Sequence, residues 1–468
     1  MKIETEIAIV GASPAGLAAA ELLGAAQCEV TLLDEQPAAG GQIYRGLDTA
    51  SVERLHALGP DYAAGRHLLD ALHRPSVEHI AGATVWEVTR EGEISYSVAG
   101  AARRRTARQI ILCTGATERP MPFPGWTLPG VMMAGAGQIL LKSAGLLPPK
   151  PLVLAGSGPL LYLIASQYLA AGHQVSAIVE TTPGGNRWQA LPYFAGMLAS
   201  PGYLRKGLAL IAELKRAGIP HYRGATGLRA EGTTSIEALG FTAGGEARRL
   251  PCAALLLHNG VVPNVQITRS LNLTHDWSDL QRCWHPRLDG FGRTEAERIF
   301  VAGDGGGIAG AEAAVPSGRL AALWALAAFG LIGADERDRG AGPERKALAR
   351  CRRPRPFLDA LYAPAPEFLD PPDETVLCRC EEVTAGQVRG FVDLGCLGPN
   401  QVKSFGRPGM GPCQGRFCGL TVASVITARR GVPMAEVGYY RIRPPLKPVT
   451  LRELAAMALP DEDPGGHV

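Results

Sequence analysis

Two stretches of the chain repeat one arrangement of apolar and small residues. The first, IAIVGASPAGLAAAELLGAAQCEVTLLDE (7–35), is an apolar run, a glycine-containing turn, an alanine-rich stretch of helical length and a second apolar run closed by acids. The second, PLVLAGSGPLLYLIASQYLAAGHQVSAIVE (151–180), does the same. Continuous apolar runs bounded by turn residues predict strands buried on both faces, and the stretch between them predicts a crossover helix. Each segment therefore reads as a βαβ unit, and the fold class is α/β with two Rossmann-like domains. LLPPKP (146–151) marks the way into the second domain and HNGVVPN (258–264) the way out, where strand residues give way to turn residues.

Beyond that point DGFGRTEAERIFVAGDGGGIAG (289–310) predicts a strand and a glycine-rich turn opening a long helix over about 311–334. The first domain is thus expected to be split, with residues 1–148 and 265–335 enclosing an inserted 149–264. Residues 336–375 are rich in Pro, Arg and Asp without apolar periodicity and are expected to form a linker. A small domain is expected over 376–435, with a helix opened by a capping box at Thr384–Gln387. Residues 436–468 are expected to form a C-terminal tail, of which RIRPPLKPV (441–449) runs extended and packed on the surface.

Length and composition agree with this plan. At 468 residues the prior is roughly three domains, and 46% hydrophobic residues exclude a disordered chain. Lys and Arg (47) nearly balance Asp and Glu (44), so a net charge of +3 gives no case for nucleic acid or an anionic membrane surface. The longest apolar stretch, 320–334, falls short of the ~20 residues of a membrane span, and the N-terminus has no signal-like segment. Ten cysteines without a secretory signal read as reduced thiols of a cytoplasmic protein, any clustered subset being metal ligands.

The first glycine turn is Gly11-Ala12-Ser13-Pro14-Ala15-Gly16. A turn after a strand that opens a helix points backbone N–H groups and the positive end of the helix dipole at one place, which suits a pyrophosphate. Ser13 stands where close approach of phosphate favours glycine. The acid expected on the ribose hydroxyls about 20 residues on is Asp34, with Glu35 competing. Gly41 and Gln42 follow, Thr114 and Gly115 end a later strand, and Gly303 and Asp304 precede the glycine-rich helix start, where Asp304 is placed to bond a ribityl hydroxyl.

In the second turn Gly156 and Gly158 are kept, but Leu161 replaces the third glycine and is expected to displace the helix. Glu180 closes the next strand. An acid there suits a ribose 2′-OH, so NAD or an ATP-like nucleotide fits better than NADP, and a module without a ligand stands beside that reading.

The sharpest signal is Cys378-x-Cys380, then 32 residues, then Cys413-x4-Cys418. Four thiolates in two close pairs hold a 2Fe–2S cluster or a structural zinc. Cys-x-Cys is atypical of zinc ribbons, and the glycine-rich loop 407–418 offers N–H groups to sulfur, so the iron–sulfur reading leads. Cys28, Cys113, Cys252, Cys283, Cys351 and Cys396 read as small core residues. The basic runs 103–105 and 345–355 read as a solvated turn and linker, and His258 as structural.

Residues 5–335 resemble the two-dinucleotide-domain flavoprotein oxidoreductases, from thioredoxin reductase to glutathione reductase, which implies FAD on the first module. No CxxC or CxxxxC pair precedes residue 378, which argues against a thiol–disulfide reductase. The four-cysteine region resembles the 2Fe–2S domain of bacterioferritin-associated ferredoxin. DEQPAAGGQIYRG (34–46), TGATERPMPFPGWTLPGV (114–131), AGDGGGIAGAEAA (302–314) and GMGPCQGRFCG (409–419) together resemble the alpha-type subunits of heteromeric amine-oxidising flavoenzymes. Those are the opine oxidases, proline and D-hydroxyproline dehydrogenases and hydrogen cyanide synthase, with the sarcosine oxidase alpha chain more distant. The resemblance implies an electron-transfer subunit that leaves substrate oxidation to a beta subunit of amino-acid-oxidase type. It also implies FMN at a subunit junction and a small ferredoxin-like subunit, neither of which a residue here specifies. The alternative is a self-contained NAD(P)H-dependent flavin and iron–sulfur reductase.

Overall fold

The computed structural model describes residues 3–457. The first apolar run forms the strand Ile3–Val10, the alanine-rich stretch the helix Pro14–Ala25, and the second run the strand Val30–Asp34. The three parallel strands Val77–Ala81, Val30–Asp34 and Ile3–Val10 continue through Ala101–Leu112 into the antiparallel strands Glu93–Val98 and Thr84–Val88. Ile299–Val301 returns from far along the sequence and pairs in parallel with Ala101–Leu112, so the first sheet is closed by both ends of the split domain. Small residues let the layers approach. A Cβ on Gly318 of the helix Ala311–Ala328 would stand 2.0 Å from the Ala15 carbonyl oxygen, so glycine is required where that helix crosses Pro14–Ala25.

The second sheet runs His221–Arg223, Ala177–Glu180, Leu152–Ser157, Ala254–Asn259 and Val131–Met133, beside a three-stranded antiparallel sheet over 226–251. It begins earlier than the expected boundary at 149: the short strand Val131–Met133 and the helix Ala134–Ala144 already belong to it. A three-residue strand is too short to show an apolar period.

Three further expectations are corrected. Residues 336–375 are not a linker: as far as Leu361 they form the helices Ala334–Arg352 and Arg355–Leu361. The helix expected over 311–334 stops at Ala328, and Gly330, with φ +73°, turns the chain before the next begins. Arg103–Arg105 lie in the strand Ala101–Leu112 rather than a turn, with Arg105 buried against Glu78.

The capping box at Thr384 and Gln387 forms as expected and opens Ala385–Asp393. That helix and Gly419–Arg430 bury Val388, Val422, Val425 and Ile426 in one apolar cluster with residues of the first sheet, so the small domain is packed on the first rather than tethered to it. The stretch 441–449 runs without helix, with Leu446 N–H on the Trp86 carbonyl and Lys447 paired to Glu35, but the tail then forms the short helix Leu451–Ala456; residues after 457 lie outside the described residues. No helix among the described residues is long and apolar enough to cross a membrane.

Candidate functional site

Five separated pieces of sequence meet at the N-terminus of Pro14–Ala25. Gly11 takes φ +105°, and a Cβ there would stand 2.5 Å from the Cys113 carbonyl oxygen. A Cβ on Gly16 would stand 2.1 Å from the Gly11 carbonyl oxygen, so the helix can start this close to the strand only with glycine. Ser13 occupies the N-cap position, yet its side chain makes no capping hydrogen bond. The first-turn N–H groups, which have no partner inside a helix, stay available to an anion. Gly40 N–H bonds the Ala12 carbonyl at 2.7 Å, which lays Gly41 against Ser13 with Gln42 next in line. A Cβ on Gly303 would stand 3.2 Å from Ala15 Cβ, and one on Gly305 would stand 3.5 Å from the Gly115 carbonyl oxygen and Thr114 Oγ1.

The two candidate acids separate. Asp34 is buried, its Oδ2 accepting from Ala12 N–H and its Oδ1 from Gln36 N–H, both at 2.7 Å. Burial pushes its carboxyl up, against the backbone bonds from Gln36 and Ala12 and the charges of His79 and Arg45. Glu35 turns outward to Lys447 at 2.7 Å. Asp34 is thus the acid at the turn. Asp304 is also engaged: its Oδ1 accepts from Ala309 and Gly310 N–H at 2.8 and 2.9 Å, bracing the loop that opens Ala311–Ala328.

Sequence reasoning missed Arg45 and Lys142. Arg45 bonds Gln36 and the Gly41 carbonyl, and Lys142 bonds the Gln42 carbonyl at 3.0 Å, so two cations back the loop facing the glycine turn. Lone cations carry no spacing signal, and neither could have been found by motif.

In the second module Gly156 and Gly158 take φ +130° and +118° and the helix Pro159–Ala170 starts directly after them. Leu161 does not displace it: its side chain is buried in the apolar layer that includes Leu154, Leu256 and Leu58. His258 Nδ1 bonds Glu118 Oε1 at 2.8 Å, while the other Glu118 oxygen accepts from Gly135 N–H. Glu180 accepts from His221 Nε2 at 2.9 Å.

The four cysteines come together as two couples. Cys378 ends the strand Val376–Cys378, and Cys418 N-caps Gly419–Arg430. The Cys418 thiol donates to Cys378, which, with N–H donors from Gly409, Glu381 and Cys380, holds the Cys378 thiol down to about 6 despite burial. Cys418 is pushed well up by the same bond and by burial. Cys380 and Cys413 form the second couple, nearer the surface, with the Cys413 N–H directed at Cys380; burial raises the Cys380 thiol. Among the described residues, no three His, Cys, Asp or Glu side chains are arranged to hold a single metal ion. The loop needs its glycines: a Cβ on Gly411 would stand 2.2 Å from Cys380 Cβ, and Gly409 and Gly415, both at positive φ, lie against Tyr440. The remaining six cysteines are buried, and all ten are free thiols.

This loop docks on the body of the two larger domains through aromatic side chains. Phe417 stacks on Trp126 at 5.8 Å and 9°, and Trp126 Nε1 donates to the Val376 carbonyl at 2.7 Å. A cleft lined by Thr117, Asn264, Gln266, Phe417 and Tyr439 separates the cysteine loop from Thr114–Gly115, to which Asn264 is bonded.

The pyridine nucleotide-disulphide oxidoreductase family matches residues 5–318, and the sarcosine oxidase A3 domain matches residues 377–458. An opine oxidase subunit of Rhizobium meliloti is 43% identical over 97% of this chain and 87% of its own length. Hydrogen cyanide synthase subunit HcnB of Pseudomonas protegens is 33% identical over 94% of this chain and 95% of its own. The L-proline dehydrogenase structure from P. horikoshii shares the fold with a TM-score of 0.70 at 18% identity, over 98% of this chain and 80% of that one. The chain belongs to the pyridine nucleotide-disulphide oxidoreductase family, as an oxidoreductase subunit of the type found in heteromeric amine-oxidising flavoenzymes.

Proposed function

We propose that this chain is the FAD- and 2Fe–2S-carrying electron-transfer subunit of a heteromeric dehydrogenase or oxidase acting on C–N bonds of amino acids, imino acids or opines. The observation that carries the proposal is the four-thiol loop lying one cleft away from the flavin crevice in a single packed body. A flavin accepts electrons in pairs and a 2Fe–2S centre passes them on singly.

FAD would be held by Gly11, Ser13, Pro14, Ala15 and Gly16 at its pyrophosphate and Asp34 at a ribose. Gly41, Gln42, Thr114, Gly115, Gly303 and Asp304 line the remaining crevice. The positive-φ glycines and the uncapped helix start fit such a group. Cys378, Cys380, Cys413 and Cys418 fit a binuclear centre, since two couples of thiols match two irons taking two thiolates each. Backbone N–H groups aimed at Cys378 stabilise its thiolate for ligation.

Substrate oxidation is assigned to a partner of amino-acid-oxidase type. An exposed apolar belt of Trp188, Leu191, Leu198, Leu204 and Leu208 gives the chain a surface of the kind that subunits bury. An interfacial FMN and a small ferredoxin-like subunit belong to the same proposal, and the free thiols support a cytoplasmic assembly. The test is anaerobic: the chain expressed alone carries flavin, iron and sulfide but does not oxidise amino acids or opines with an artificial dye. The same substrates reduce its chromophores once the partner is added. Robust turnover by the isolated chain overturns the relay role.

A further inference from the structure

In an open parallel sheet a nucleotide sits against the C-terminal strand ends, over the glycine turn. In the second module those ends are Ser157, Glu180 and Asn259. Both the turn and the acid that a nucleotide needs there are already covered by this chain's own side chains.

The glycine turn is covered first. Gly156, Ser157 and Gly158 are buried, whereas Gly11 and Ser13 of the first turn stay half-exposed. His258, fixed by Glu118, lies over Gly158: a Cβ there would meet the ring Cδ2 and Nε2 at 3.2 and 3.3 Å. The ribose acid is engaged next. Glu180 bonds His221 Nε2 and accepts hydrogen bonds from the Thr182 and Tyr162 side chains. Tyr362, between the two arm carbonyls that Asn186 holds, lies near enough for the Glu180 charge to add to burial in pushing its hydroxyl up to about 12.

Tyr362 is delivered by the arm that sequence pattern read as a linker. Asn186 Nδ2 donates to the Leu361 and Ala363 carbonyls at 3.1 and 3.0 Å. Phe357 packs on Phe194 at 5.7 Å. On the other side Asp359 accepts from Gln281 Nε2 at 2.9 Å, and Gln281 also bonds the Ile308 carbonyl in the flavin domain. The arm is thereby bolted to both domains, across the edge a dinucleotide would cross.

We propose that residues 355–363 are a built-in occupant of the adenosine half of the second nucleotide crevice, and that Tyr362 is the specificity-determining residue that excludes pyridine nucleotides. This deepens the relay reading and rests on it: a chain closed to NAD(P)H must receive its electrons from a partner. The C-terminal edge of the same sheet keeps nucleotide-binding character, because the Asn259 amide and the Thr181 hydroxyl are buried without a hydrogen-bond partner among the described residues. Opening the arm exposes these groups to a ligand that can satisfy them.

The experiment is isothermal titration of the FAD-loaded full chain with ADP-ribose and with NADH. The wild type and Tyr362→Phe are expected to bind neither below a Kd of ~1 mM. Tyr362→Ala, which vacates the place, and Asn186→Ala, which releases the arm, are each expected to tighten ADP-ribose binding by about tenfold or more, with flavin content and unfolding temperature near the wild type's. Submillimolar binding by the wild type overturns the proposal, as does failure of both opened variants to bind while they retain flavin. Either failure leaves the relay reading standing, because that is judged separately by reduction of the chromophores through the partner.

Discussion

Lys142 is a cation inside the protein without a counter-ion among the described residues, and its removal has a calculable signature. The side chain is 4% exposed, its ammonium donates to the Gln42 carbonyl and Gln138 Oε1, both at 3.0 Å, and its nearest ring is that of Tyr62. Burial, helped by the Arg45 charge, pulls the ammonium from 10.5 down to about 7. The unfolded chain therefore binds a proton that the folded chain does not, between those two values. Stability from this group is present above pH ~10.5 and is lost as pH falls toward ~7. The slope is ~1.4 kcal/mol per pH unit, and over 3.5 units it amounts to about 5 kcal/mol at most. Lys142→Met keeps the apolar stem and deletes the titration. At neutral pH the net change is small, because leaving two acceptors unpaired costs ~1–3 kcal/mol each and offsets the relief of the buried charge. The pH slope has no such offset, since every other group titrates alike in the two proteins. Urea unfolding followed by flavin fluorescence between pH about 7.5 and about 9.5 should show the wild type stabilising relative to Lys142→Met by ~1.4 kcal/mol per unit. Parallel curves would refute the argument, since they would mean that Lys142 keeps its proton in the fold.

Three further outcomes follow from the geometry. Gly16→Ala places a Cβ 2.1 Å from the Gly11 carbonyl, so the helix start must shift; flavin bound per chain, read from the visible spectrum, should fall severely, with a stability loss of ~3 kcal/mol. Cys380→Ser or Cys413→Ser, each alone, should bring iron and sulfide to background while flavin stays bound, because the groups acting on the outer couple are the neighbouring cysteines. Trp126→Ala removes a buried ring, its stack on Phe417 and the bond to Val376; a loss of ~3–5 kcal/mol is expected, read as a lower unfolding temperature and faster proteolytic release of the chain beyond 376.

Where backbone geometry demands glycine, the sequence carried its own meaning. Gly11, Gly16, Gly156 and Gly158 stand where positive φ or a close carbonyl excludes a side chain. Of the ten thiols, the four at paired spacing stand as two couples, Cys378 with Cys418 and Cys380 with Cys413. What escaped notice was structure held without apolar periodicity. The helix Ala334–Arg352 buries only Ala341 and Cys351, and its adhesion comes from Arg337 over Trp324 and Phe291 and from Arg345 over Phe291. A guanidinium lying on a ring counts as polar in any hydrophobic pattern, although its contact stabilises the helix as packing does. Asp34 and Glu35 also differ by nothing visible in one dimension; only the structure turns one to the glycine turn and the other to Lys447.

The two βαβ units make the functional argument sharper than either does alone. Both have an apolar strand, a glycine turn at positive φ, a helix starting at proline and an acid closing the next strand. What differs is the company of the acid and of the turn. At the first, Asp34 holds only backbone amides, and Ser13 leaves the helix start uncapped. At the second, Glu180 is met by His221, Tyr162 and Tyr362, and the turn by His258. One fold, duplicated, thus offers one crevice that can take a dinucleotide and one sealed by side chains of its own module and of the arm. A reductase driven by a pyridine nucleotide needs both crevices open and facing each other. A subunit fed from outside needs only the first, together with a rigid path from it to the thiols. The arm that seals the second crevice also fixes the two domains to each other, so exclusion of the nucleotide and rigidity of the path have one structural cause.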